Sequence, residues 1–151
     1  MARLHPGWFV SLFGAGVSVS SWLPWLTASA DGGGRASAIG GTFGAITLTT
    51  RFGPGQLIVL AASVLVVLGA MAARNLSARA AASAAVGVSL LIGVLTWWFF
   101  HVNLVLPMRI GYGFFIAAAC AVAALACSIW ALVATLSATA VLPGGDQTSR
   151  R

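Results

Sequence analysis

Residues 56–73 read QLIVLAASVLVVLGAMAA, residues 74–79 read RNLSAR, and residues 80–100 read AAASAAVGVSLLIGVLTWWFF. Both apolar runs are long enough, at about 20 residues per crossing, to traverse a hydrocarbon core of roughly 30 Å as a helix. The polar turn between them is tight, so the two runs alternate in direction across a bilayer. Residues 8–26 and 110–136 are two further runs of the same kind. The fold class expected is therefore an all-α membrane protein with four transmembrane helices, at about 8–26, 56–73, 80–100 and 110–136. A Gly/Thr-rich loop spans 27–55 and a polar tail spans 143–151, within a single transmembrane domain.

Composition sets the same bound. With 60% hydrophobic residues, 7% charged residues and a mean hydropathy of +0.99, the chain has too little polar surface for a water-facing domain. All 8 basic residues are arginines, and none lies inside an apolar run; Asp31 and Asp146 are the only acids. In a soluble protein a charge of +6 would point to nucleic acid. Here the arginines are scattered singly at segment ends and read as topology signals and headgroup contacts. Arg3, Arg74, Arg79, Arg150 and Arg151 fall on one side of four alternating helices. Arg35, Arg51 and Arg109 fall on the other with Asp31, so both termini are expected in the cytoplasm. Ala28-Ser29-Ala30 offers a cleavage site of the signal-peptide kind. The apolar run before it is nonetheless too long for a signal peptide and carries Trp22, Pro24 and Trp25, so retention is expected.

The first run ends in SWLPWL (residues 21–26). Trp22 and Trp25 flank Pro24 near the outer interface, where indoles satisfy one N–H and bury the rest. Pro24 is expected to end the helix or kink its last turn. The third run closes on Trp97, Trp98, Phe99, Phe100 and His101, which meet the same interface. Trp22, Trp25, Trp97, Trp98 and His101 are thus candidate contacts for lipid or quinone.

Two further features are candidates for contact with another protein. Thr42 to Arg51 reads TFGAITLTTR, and its β-branched, partly alternating pattern suits a short strand, although an irregular loop is the preferred reading. With no second convincing strand nearby, its ladder would be completed by a partner chain, through residues such as Thr42, Ile46 and Leu48. In the fourth run Ala119, Ala123, Cys127, Ala131 and Thr135 recur every four residues, giving one small side for close helix packing. The third run has the pairs Ser83/Gly87 and Ser89/Gly93. Packing of the third helix on the fourth is the default, and a partner helix is the alternative. The second run reads as a lipid-facing crossing with no further role.

Reaction chemistry finds little support. Cys120 and Cys127 lie about 10 Å apart along one helix, too far for a mutual disulfide, and read as packing residues. His5 and His101 fall at opposite membrane faces and cannot share a metal. The chain has no glutamate and no acid inside a run, which argues against a proton relay. No P-loop, dinucleotide fingerprint, zinc spacing or nucleophile–base pattern occurs. No cofactor and no enzymatic activity are expected.

The segment Gly14–Leu26, with WLPWL at its outer end and a glycine-rich loop after it, resembles small four-helix membrane proteins of actinobacteria. The resemblance covers the first two helices. Some small helical subunits of this size sit at the edges of the actinobacterial supercomplex of cytochrome bcc and the aa3 oxidase. What the resemblance implies is an accessory or assembly subunit without its own redox centre, in a bacterial plasma membrane. Expected partners are a larger integral membrane complex and lipids, and no nucleic acid. The alternative function is a small homo-oligomeric channel or carrier for a neutral or lipidic solute.

Overall fold

A computed structural model of the chain describes residues 5–28, 33–44, 53–103 and 108–140. Four helices, α1 (Pro6–Ser20), α2 (Pro54–Ala73), α3 (Ala78–Asn103) and α4 (Tyr112–Ala140), account for most of them. Each of α1 and α3 packs on both α2 and α4, so the helices close into a ring. The buried positions explain why they do so. Val10, Gly14, Val17 and Ser21 in α1 and its cap alternate in steps of four and three, as do Ile58, Ala62, Leu65, Gly69 and Ala72 in α2. Ala85, Ser89, Ile92, Thr96 and Phe99 repeat the pattern in α3, and Ala117, Ala121, Ala124, Ser128 and Ala131 in α4. A mean repeat of 3.5 residues is that of helices that coil left-handedly around one another.

The outward faces are apolar too. Leu57, Leu60, Val64 and Val67 of α2, Leu90, Leu91 and Val94 of α3, and Val122, Ile129 and Val133 of α4 are all exposed. Continuous apolar exposure of this kind fits lipid rather than water. Helices α2, α3 and α4 are long and apolar enough to cross a membrane. The first helix is not the 8–26 span expected from the sequence. It stops at Ser20 after 15 residues, about 22 Å, and the Ser20 and Ser21 hydroxyls both donate to the Val17 carbonyl, at 2.7 and 3.0 Å. Pro24 also removes a backbone donor and biases Leu23 away from helix.

The chain then turns into β1 (Pro24–Ala28), the start of a sheet that the sequence reading lacked. Strands β2 (Gly34–Ser37) and β3 (Thr42–Gly44) follow in the same connection, and β4 (Met108–Ile110) comes from the α3–α4 connection. All pairings are antiparallel, in the order β3-β2-β1-β4. Thr42 pairs with Ala36, so β3 has a neighbour within the chain, while its other side is an edge of the sheet. The missing strands were hidden because GRAS and MRI are too short and too glycine- or arginine-rich to show a period of two. Ile46 and Leu48, also expected as contacts, lie outside the described residues, as does the 143–151 tail.

A register shift in β1 between Pro24 and Leu26 leaves Trp25 as an extra residue opposite β2. Such a bulge re-aims a side chain, and here Trp25 and Leu26 are adjacent yet both buried. The Trp25 indole fills the bundle end beyond the short α1. Its Nε1 donates to the Ser20 carbonyl at 2.8 Å, and its ring meets Phe99 and Phe114 edge-on at 5.0 and 5.6 Å. Trp25 is therefore a core residue with 0% exposure, which removes it from the paired interfacial anchor expected from WLPWL, whereas Trp22 is 77% exposed.

At the opposite end α2 closes in a Schellman motif. Leu76 N–H donates to the Met71 carbonyl and Asn75 N–H to that of Ala72, with Asn75 at φ 56°, a conformation Asn tolerates better than most residues. Near this end α1 and α2 approach at glycines. A Cβ on Gly7 would stand 2.6 Å from backbone atoms of Gly69 and Ala73, and one on Gly69 would stand 2.7 Å from the Ser11 nitrogen. Ser11 Oγ donates across the crossing to the Val66 carbonyl at 2.8 Å. The second helix is thus a packing partner for α1 as well as a helix long and apolar enough to cross a membrane.

Candidate functional site

Helices α3 and α4 leave a groove of about 400 Å³ on the outer surface of the bundle. Leu90, Gly93, Val94 and Trp97 form one wall, and Ala118, Val122 and Leu125 the other. Ser89 and Ala121 reach it from the core side. Polar groups at this depth must find partners in the protein, and they do. Ser89 Oγ and Ser128 Oγ lie 3.4 Å apart between α3 and α4, Ser128 Oγ donates to the Ala124 carbonyl at 2.7 Å, and Thr96 Oγ1 donates to that of Ile92 at 2.7 Å. No buried side-chain nitrogen or oxygen among the described residues lacks a partner. The groove therefore presents a mostly apolar surface in which no buried side-chain polar atom is left without a partner.

Its least explained member is Gly93. A Cβ at Gly7, Gly14, Gly55, Gly69, Gly111 or Gly113 would press on a neighbouring element, and at Gly55 it would meet the Ala38 carbonyl. At Gly87 and Gly93 it would meet nothing within 4 Å. A helix-interior glycine costs up to about 1 kcal/mol relative to alanine, so these two are not demanded by the packing of this chain.

The small stripe expected on the fourth helix does not form one face. Ala119 is exposed, Ala123 and Cys127 are half-buried, and Ala131 is buried. The reason is geometric: a step of four residues advances 400° on a helix of 3.6 residues per turn, so the stripe drifts 40° per step. The buried small face is instead Ala117, Ala121, Ala124, Ser128 and Ala131. Cys120 packs against α1, where a Cβ on Gly16 would stand 2.9 Å from its Sγ. Of the third-helix pairs only Ser89 is buried; Ser83, Gly87 and Gly93 are exposed.

The aromatic cluster divides as well. Trp97 stacks on Phe100 at 6.0 Å and meets the His101 ring at 5.7 Å, and it borders the groove. Trp98 faces the start of α2, beside Gly53, Pro54 and Leu57. Trp97, Trp98 and His101 are exposed, and Trp25 is separated from them by Phe99 and Phe114. His5 caps α1, its Nδ1 accepting from Gly7 N–H at 3.2 Å, at the far end of the bundle from His101. No group of three or more His, Cys, Asp or Glu comes together among the described residues.

Bundle and groove define a class: a helical protein with three helices long and apolar enough to cross a membrane, capped at one end by a small antiparallel sheet. No family model, curated protein or solved structure matches the chain.

Proposed function

We propose that this protein is a non-catalytic accessory or assembly subunit that docks a transmembrane helix of a larger membrane complex into the α3–α4 groove. The observation that carries this reading is Gly93, a glycine left open towards the lipid side in a groove walled by Ala118 and Val122. Between apolar helices in lipid, close backbone approach at small residues is the main source of association, and a groove with a bare backbone offers it. A respiratory complex of the cytochrome bcc–aa3 kind is the first partner to examine, in a bacterial plasma membrane, with both termini cytoplasmic and the sheet on the outer side.

Gly93→Leu tests the reading. It fills open space and removes a helix-interior glycine, so stability should hold or rise by up to about 1 kcal/mol, while co-purification of the partner from native membranes in mild detergent should fall at least about tenfold. Undiminished co-purification would remove the groove from consideration. Ala131→Leu is not an equivalent test, because Ala131 is buried in the bundle and the substitution would damage the fold.

A homo-oligomeric channel or carrier is the second reading. The interior is occupied by Val17, Ile58, Leu65, Ile92 and Ala124, all buried, so a path for solute would have to run between copies. Solute flux into liposomes containing only this chain would favour it over the accessory role.

A further inference from the structure

The sheet carries a row of residues that sequence order conceals. Phe43 stands opposite Arg35, Arg35 opposite Thr27, and Thr27 opposite Arg109, so the four share one face across four strands. The next row, Thr42, Ala36, Leu26 and Ile110, shares the other face, with Ala36 and Leu26 buried. The arginine row is therefore the outward face, and Arg35 and Arg109 are both exposed. No aspartate or glutamate occurs among the described residues.

Beside Arg35 this face opens into a cavity of about 530 Å³. Trp22, Pro24, Ile39 and Phe43 supply apolar walls, and among the described residues Arg35 is the only charged side chain lining it. The cavity lies level with the helix ends. Trp22 follows the last residue of α1 by two positions, and Ile39 follows Ala38, whose backbone lies against Gly55 in the first turn of α2. A site with one fixed cation, two exposed aromatic rings and apolar walls, set where a bilayer gives way to water, matches an amphiphile bearing a single anion. A free inorganic anion would leave the apolar walls without a partner. An acidic polypeptide segment would place backbone polar groups against those walls.

We propose that this cavity binds the phosphate headgroup of an anionic phospholipid from the leaflet on the sheet side. Arg35 donates to the phosphate oxygens, and Trp22, Ile39 and Phe43 cover the glycerol and the first methylenes. The site is separate from the α3–α4 groove, and it depends on the membrane placement of the bundle rather than on any partner protein.

The test is native mass spectrometry of the purified, delipidated full chain, titrated in detergent with phosphatidylglycerol or with phosphatidylcholine of the same acyl chains. Wild type should retain phosphatidylglycerol preferentially. Arg35→Gln should weaken that binding about tenfold, while Arg35→Lys should keep the preference for the anionic lipid. Arg109→Gln removes the same charge from the same sheet face but lies outside the cavity, and it should bind as wild type does. Trp22→Ala, at an exposed residue the fold does not need, should also weaken retention. Equal binding of the two lipids, equal loss in Arg35→Gln and Arg109→Gln, or full retention in Trp22→Ala would each overturn the site. Displacement of the lipid by millimolar inorganic phosphate would overturn it in favour of a small-anion site, and displacement by hexaglutamate in favour of an acidic protein partner.

Discussion

Trp25→Ala is expected to lower the stability of the bundle by about 3–5 kcal/mol, whereas Trp22→Ala, three residues earlier, should change it by less than about 0.5 kcal/mol. The difference follows from where the bulge in β1 sends each indole. Truncating Trp25 leaves a cavity between Ser20, Phe99 and Phe114, removes two edge-on aromatic contacts, and deprives the Ser20 carbonyl of its indole donor. Because α1 ends at Ser20, no helical turn can slide in to fill the space. The pair can be compared by reversible unfolding in mixed micelles, with near-UV circular dichroism reporting aromatic packing. Equal stabilities for the two variants would mean that Trp25 is not the plug between sheet and bundle.

The second large effect belongs to the α1–α2 crossing. In Gly69→Val the new Cβ would stand 2.6 Å from Ser11 Oγ, 2.7 Å from the Ser11 nitrogen and 2.8 Å from the Gly7 carbonyl oxygen. Two of those three atoms are backbone, which a rotamer change cannot move, and valine adds two methyl groups beyond Cβ. Helix α1 must then move away, breaking the Ser11–Val66 hydrogen bond and unpacking Val10 and Val17. Overpacking in a dense core costs about 1–3 kcal/mol, occasionally more, and the upper end is expected here. Gly87→Val is the control: it carries the same chemical change at an open position and should alter stability by less than about 0.5 kcal/mol. Similar losses at the two positions would show that β-branching in the helix, rather than the crossing, sets the cost.

Much of this architecture is legible in one chain because lipid is a demanding solvent. Every spanning segment must satisfy its own backbone and present apolar side chains all round. The runs at 56–73, 80–100 and 110–136 consequently announce helices, and the structure has them at Pro54–Ala73, Ala78–Asn103 and Tyr112–Ala140. The same uniformity hides which side of each helix faces in. Where leucine and valine stand on both faces, periodicity cannot choose between them, and the i+4 alanines of the fourth helix led to a stripe that drifts out of the interface. Glycine shows the limit most clearly, since Gly69 and Gly93 look alike in sequence; one lies at a backbone crossing and the other opens on a groove.

The sheet lies at the other extreme. Strands of three to five residues hold too few side chains to show alternation, and β4 is separated from β1 by two other strands and two helices of intervening chain. Sequence by itself determined three apolar helices long enough to cross a membrane, because those depend on length and local composition, whereas the helix expected over 8–26 stops at Ser20 and gives way to a strand at Pro24. Only the tertiary structure decided that Trp25 is core while Trp22 is surface, that Gly7 and Gly69 meet, and that Arg35 and Arg109 share a face with Thr27 between them. Each of those depends on strand register or helix rotation, and both are set by contacts between residues far apart in the chain.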